Sequence, residues 1–301
     1  VGMIGSAEAL SEIPRRTYDL KLKKVKVPSN YEDLGEGVDG PLREDRHPGI
    51  WNGTFKTELE WTDNPAWILY DLITNDRYGL GEYIDKIKID KFQLYKIAKV
   101  CDELVNTSKS SEDPTKEFIK ERRYYCNLLL SNAMDAYAAI NEISSIFRGI
   151  AYFDSNEIFI SQNSLKESIF NFNNSNVVEG NFLYSGPTKR ARFTAVKVSY
   201  KDKEDSFLPK YEYVEDPEGI IRYGLIEKEI SAVGCTSRDQ ALRLGRWTLL
   251  SSNLEKETVS FATSSEAEYL SPGDVFSVSD KLKNGIKQGG RILKIVNDQP
   301  V

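Results

Sequence analysis

The side chains from which catalysis or metal binding could be built are few in kind: one histidine, three cysteines and 46 carboxylates in 301 residues. A Ser–His–acid triad would have to use His47, and no second imidazole stands at the His-x-Glu or His-x-x-x-His spacing of a zinc site. His47 lies in Arg46-His47-Pro48-Gly49 and follows no nucleophile elbow, so no catalytic or ligand role is expected of it. Cys101, Cys126 and Cys235 lack metal-ligand spacing and cannot all pair. They are expected to be buried, reduced thiols. Gly79-Leu80-Gly81 lacks the third glycine of a dinucleotide loop and follows a helical pattern, and no Gly-x-x-x-x-Gly-Lys-Ser/Thr occurs.

Two carboxylates can act as acid and base when held ~5–9 Å apart. Glu212, Glu215, Asp216 and Glu218 form the densest grouping, but their pattern places them on a solvated strand end and turn. The 16 tyrosines, 13 phenylalanines and 4 tryptophans could line a sugar or base platform, yet most, like Phe147 and Trp247, fall at periodic core positions. Lys189-Arg190-Ala191-Arg192 could touch phosphate, although exposure or a subunit-interface salt bridge suits a strand start better. Asn52, Asn106 and Asn173 begin Asn-x-Ser/Thr triplets and read as loop asparagines. The residues therefore predict no enzyme: no catalytic, cofactor or metal site, and no cofactor. A net charge of -6 lacks the basic footprint of stable nucleic-acid binding. No apolar run reaches the ~20 residues of a membrane segment.

With chemistry set aside, the pattern describes a frame for about two domains. Residues 1–62 read as a lead-in, a lysine-rich edge strand through Tyr18, Leu20, Leu22, Val25 and Val27, a long surface loop from Pro28 to Gly49, and a short strand or hairpin to Phe55. An α+β domain over 63–176 follows. Asn64 caps a helix with Pro65 at its first position, Ile68, Leu69, Leu72 and Ile73 form its apolar stripe, and Gly79 closes it. Asp90 opens a second helix striped by Leu94, Ile97, Ala98, Cys101 and Leu104, with Gln93 completing a capping box and a loop at 106–117 beyond. Tyr124, Cys126, Leu128 and Leu130 alternate as a strand. It feeds a helix capped by Ser131 or Asn132 and buried through Ala136, Ile140, Ile143 and Phe147, which ends at Arg148-Gly149. Ile150–Phe153 and Ile158–Ile160 read as a hairpin.

An Asn-rich boundary at 171–176 separates a mostly β domain over 177–301. Strands are expected near 177–184, 190–201, 210–214, 225–233, 256–263, 274–279 and 290–296. One helix interrupts them near 237–252, opened by the capping box Ser237-Arg238-Asp239-Gln240. Pro272-Gly273-Asp274 sets a tight turn, and Gly285 to Gly290 closes a hairpin. A barrel or sandwich carrying one helix is the architecture this predicts.

Several separated blocks carry a resemblance to one family. They include Lys24 to Tyr31, Gly49 to Phe55, Asp63 to Ile84, Tyr125 to Gly149, Val177 to Gly180, Tyr213 to Glu218 with Ile221 to Gly224, Gly234 to Arg238, and Ser271 to Val275. Together they resemble the central hub region of the tail-tip host-specificity protein J family of lambda-like, long-tailed phages. The resemblance implies a phage baseplate-hub-like α+β fold that closes the distal tail tube and links it to the host-recognition apparatus. It implies a homotrimer around the tail axis, contacts with the distal tail protein and other tail-tip proteins, a place in the virion, and synthesis in the bacterial host cytoplasm. The chain is read as a piece of a longer one, because the family's fibronectin-like and receptor-binding parts have no match. Receptor contact is thus not expected through this fragment, and the fragment alone is expected to be monomeric or weakly associating. The rival expectation is a carbohydrate-binding or glycan-cleaving tail component.

Overall fold

The computed structural model describes residues 20–32, 45–83, 89–108, 120–130, 135–154, 157–186, 192–255, 257–283 and 287–296. In chain order its strands and α-helices are β1 (Lys24–Val25), β2 (Glu60–Trp61), α1 (Pro65–Thr74), α2 (Lys91–Asp102), β3 (Leu104–Asn106), β4 (Lys120–Arg122), α3 (Ala136–Ile146), β5 (Gly149–Asp154) and β6 (Glu157–Gln162). Then follow β7 (Phe170–Asn173), β8 (Leu183–Ser185), β9 (Ala195–Asp202), β10 (Leu208–Glu215), α4 (Pro217–Tyr223), β11 (Glu227–Ser231), α5 (Arg238–Leu254), β12 (Thr258–Ser260), β13 (Val275–Ser279) and β14 (Gln288–Arg291). The class is mixed α+β, as expected.

The first core gathers around α1. Asn64 Oδ1 accepts the Ala66 N–H at 3.0 Å, and Pro65 occupies the first turn, where its missing donor is harmless. Burial extends well beyond the expected stripe: Trp67, Tyr70, Asp71 and Thr74 are buried along with Leu69 and Ile73. Helix α2 is capped by Asp90, which accepts from Phe92 and Gln93, and it buries Leu94, Ile97, Ala98 and Cys101. Leu104 lies outside the helix, in β3. Helix α3 is capped by Asp135; Ser131 and Asn132 lie outside the described residues. Ala136 is exposed, and the buried face is Ala139, Ile140, Ile143 and Ile146, with Phe147 behind them. β5 and β6 form the expected hairpin, in register from Gly149↔Gln162 to Asp154↔Glu157.

The lead-in departs from expectation. Its strand shrinks to β1, paired antiparallel with β2, and Leu20 and Leu22 are exposed; Tyr18 lies outside the described residues. The stretch from Pro28 to Gly49 is not a surface loop where it is described, because Tyr31, Arg46 and His47 are buried in the first core. A single bridge, Pro28↔Phe55, replaces the short strand or hairpin expected at 49–55. Residues 124–130 belong to no strand.

Gly79 does not cap α1. The helix stops as Asn75 turns extended, and the chain then folds back so that Leu80 N–H donates to Leu72 O at 2.9 Å. A Cβ on Gly79 would stand 2.0 Å from Leu72 O, so the close approach, not a left-handed φ, requires glycine.

Beyond residue 170 the described strands form open sheets rather than a barrel or sandwich. One is β10-β9-β11, antiparallel then parallel; another is β14-β13-β7; β12 and β8 make a two-stranded ribbon. The Asn-rich stretch opens as strand and ends as turn: Phe170–Asn173 is β7, parallel to β13, and residues 174–176 form the turn after it. The expected strand at 177–184 becomes a 3-10 turn, Val178–Gly180, followed by β8, and the last strand lies earlier than 290–296. A second helix, α4, appears where one was expected in this half, because Asp216 caps it and Pro217 starts it. Helix α5 lies across β9 and β10, near enough that a Cβ on Gly245 would meet Val214 Cγ2 at 2.8 Å and Val198 Cγ2 at 3.0 Å. Val196, Val198, Tyr200, Ala241 and Leu249 fill that core, while Phe172, Phe182 and Phe276 centre a separate one.

Gly79→Ala should therefore destabilise the chain by about 2–3 kcal/mol, as overpacking against a backbone carbonyl does. Urea unfolding checks this; an unchanged midpoint would refute the backbone-contact argument.

Candidate functional site

Two of the polar clusters among the described residues lie at joints of the first core. The first is sealed in the core, where Asp63 and Asn64 before α1 meet Asp102 at the end of α2. Arg46 Nη1 donates to Asp63 Oδ1 at 2.7 Å and to Asp102 Oδ1 at 3.2 Å. Asn64 Nδ2 donates to Asp102 Oδ2 at 2.8 Å and to Ala98 O at 2.9 Å, so one side chain caps α1 and ties it to α2. Arg122 Nη1 donates to Asp102 O at 2.7 Å, and Tyr31 OH donates to Thr62 Oγ1 at 2.9 Å.

His47 is fully buried beside this cluster, edge-on to Tyr31 and Tyr95. Trp67 Nε1–H donates to His47 Nε2 at 3.0 Å, which requires that nitrogen to be unprotonated. Burial holds the imidazole neutral, lowering its pKa to about 3, with Arg46, Arg122 and Lys99 adding to the effect against Asp45. The 3.5 Å approach of Nδ1 to Asp102 Oδ2 is accordingly a contact of a neutral ring, not an ion pair. Burial raises Asp102 to about 6, partly offset by Arg46, Asn64 and Arg122. Arginine, histidine and two aspartates are a catalytic palette, but here each is spent on a neighbour inside the core. Among the described residues no group of His, Cys, Asp and Glu could hold a metal ion.

The second place is the N-terminus of α5. Ser237 Oγ accepts the Gln240 N–H at 3.3 Å and donates to Glu121 Oε2 at 2.6 Å, and Arg243 Nη1 reaches Glu121 Oε1 at 2.6 Å. Gln240 does not close the expected capping box. Its amide instead takes the Tyr125 N–H at 3.0 Å and donates to Tyr125 O at 3.1 Å, as a neighbouring strand would. Cys126 N–H goes to Asp63 O and Asn127 N–H to Gly234 O, both at 2.8 Å. These partners explain why an alternating, extended stretch joins no ladder.

Beside this joint opens a cleft of about 430 Å³ lined by Tyr124, Arg148, Ile150, Ile230, Leu244 and Trp247 among others. Arg148 has φ 59°, the left-handed region, and its guanidinium stands 4.9 Å over the Trp247 ring. Trp247 is thus half-buried on a cleft wall rather than a plain core residue.

The other residues weighed from sequence do not converge. Glu212 pairs with Arg238 at 2.8 Å, while Asp216 caps α4 and accepts from Asn253 at 2.9 Å. Arg192 lies 5.3 Å from the Tyr223 ring, and positions 189–191 fall outside the described residues. Asn52 and Asn173 close Asx turns on Thr54 and Ser175, and Asn106 ends β3. The three thiols are free and buried, and burial raises the pKa of each; Cys126 is buried although its stretch is no strand. Sequence reasoning missed the Arg46–Asp63–Asp102 cluster, whose members are 17 and 56 positions apart. It also read Arg148 merely as a helix end, where an arginine in a position usually given to glycine was the available signal.

The geometry defines a mixed α+β protein whose clustered polar groups lock its own elements together. The chain belongs to the family described as "Putative phage tail protein", whose model matches residues 135–295. The tip attachment protein J of Escherichia phage SECphi27 is 35% identical over 288 residues, covering 95% of this chain and 22% of that protein. The tip attachment protein J of Escherichia phage SECphi4 is 28% identical over 290 residues, covering 95% of this chain and 24% of that protein. The resemblance read from the sequence blocks is borne out, and the chain spans roughly a quarter or less of the length of these relatives. A 43 kDa tail protein of prophage MuSo2 from Shewanella oneidensis overlaps with a TM-score of 0.37 at 14% identity, over 59% of this chain and 52% of that one.

Removing Arg46 should leave Asp63 buried without its cation. Arg46→Met is expected to cost about 3–5 kcal/mol in urea unfolding; a loss under about 1 kcal/mol would refute the clamp. The lone histidine gives a second check. An unfolded chain binds a proton near pH 6.5 that folded His47 refuses, so this group lowers stability as pH falls below that value. Asp102 has the opposite sign, holding its proton in the fold as pH falls through about 6. The His47 ring resonance should therefore not titrate between pH 8 and pH 5, and a midpoint near the usual histidine value of about 6.5 would contradict it.

Proposed function

We propose that this chain is a structural building block of a phage or prophage tail tip: the hub region that closes the distal tail tube and links it to the host-recognition apparatus. The observation that carries this reading is the 35% identity along 95% of the chain to a tip attachment protein J. In this reading residues 63–176 and 177–301 are the two hub domains, residues 1–62 lead into them, and three copies surround the tail axis. The hub meets the distal tail protein and other tail-tip proteins, and receptor contact belongs to parts of the relatives beyond this match. The protein is made in the host cytoplasm and resides in the virion.

The physical frame supports it. Two of the four acidic candidates for catalysis are engaged, Asp216 as a helix cap and Glu212 in an ion pair with Arg238, which favours shape over reaction. Exposed apolar side chains on β10, α4 and the segment after it, including Tyr211, Tyr213, Ile221 and Leu225, offer area for neighbouring subunits. The net charge of -6 disfavours holding the DNA that would pass through such a tube.

Gold-labelled antibodies raised against this chain should mark the tail end far from the head on intact virions; label confined to the capsid would refute the placement. Multi-angle light scattering of the isolated chain at micromolar concentration should give a monomer mass, since neighbouring rings hold the trimer together. A stable trimer would remove that part of the reading. Incubation with bacterial polysaccharide should release no sugar, whereas release would favour the glycan-cleaving alternative.

A further inference from the structure

The cleft beside Arg148 supports an inference independent of the tail-tip reading. Its guanidinium stands 4.9 Å from the Trp247 ring and 6.0 Å from the Tyr124 ring, its Nε is buried without a hydrogen bond, and no described carboxylate pairs with it. Arg46, Arg123, Arg238 and Arg243 each have a carboxylate oxygen within 2.8 Å. No aspartate or glutamate lines the cleft. Burial and the nearby Arg123 and Arg243 guanidinium groups pull the pKa of Arg148 down, the sign of a cation short of negative charge. The backbone adds a second cost. Arg148 sits just past α3 in the left-handed region, where helices usually place glycine. It is pinned there, its N–H donating to Ser145 O at 3.1 Å and its carbonyl accepting from Asn163 N–H at 2.9 Å. A strained residue that aims an unpaired cation into a cavity marks a site.

We propose that this cleft binds a carboxylate carried on a short apolar body. The guanidinium fork pairs with the carboxylate while staying stacked on Trp247, and the apolar body lies against Ile150, Ile230 and Leu244. The cleft's volume of about 430 Å³ suits a small group; ligand sites span roughly 300–1,000 Å³. A free fatty acid and the C-terminal carboxylate of a partner peptide share this chemistry.

The test follows the Trp247 indole N–H signal in nitrogen-15 spectra of the full chain. The chain is titrated with hexanoate, with a blocked dipeptide acid of leucine, and with uncharged hexanamide. Saturable shifts with at least one acid and none with hexanamide are expected, and the tighter acid identifies the source. Arg148→Gln should weaken acid binding about tenfold or more, the size of a lost charge-assisted hydrogen bond. Arg123→Gln, which removes a nearby charge outside the cleft, should bind like the parent. The proposal is overturned if neither acid gives a saturable shift or if hexanamide binds as hexanoate does. It also falls if Arg148→Gln, shown folded by circular dichroism, binds like the parent, or if Arg123→Gln loses as much.

Discussion

The guanidinium of Arg46, buried between Asp63 and Asp102, is the interaction on which the first core depends. Charges removed from water are tolerated only when their partners sit at hydrogen-bond distance. That requirement sets the loop carrying Arg46 and His47, the start of α1 and the end of α2 in one arrangement. Asn64 is the hinge of it, since one amide satisfies a helix terminus, a carboxylate and a carbonyl of the next helix. Neutral His47 belongs to the same logic: charged, it would face two guanidinium groups in a place closed to water.

Helix α5 repeats the principle between cores. Its first turn collects Glu121, the Tyr125 backbone and, through Asp239, the Ser108 N–H, so polar groups of the first core are completed by a helix of another. Such joints are directional, unlike apolar contact, and they define how the two parts meet. Junctions of this kind suit the structural role proposed for the chain. The fit between family and fold lies there more than in any reactive side chain.

Several elements were legible in the sequence because their signals are local. Asn64-Pro65, Asp90 and Ser237 each start a helix through hydrogen bonds spanning two or three residues, and the β5–β6 hairpin announces itself by two apolar runs around a polar turn. Alternation at 124–130 misled, since extended backbone needs a partner, and these residues found side chains and loops in place of a strand. The sheets beyond residue 170 misled similarly: seven short strands are compatible with a barrel, but pairing such as β7 with β13 joins positions over 100 apart.

By itself the sequence determined the family, the mixed class, the N-caps at Asn64, Asp90 and Ser237 and the poverty of reactive groups, all properties of residue type and short spacing. Tertiary structure decided the burial of His47 and Arg46, the open sheets, and the cleft that exposes one unpaired guanidinium. Those depend on distances between residues far apart in the chain, and no periodicity encodes a contact whose two halves lie on different elements.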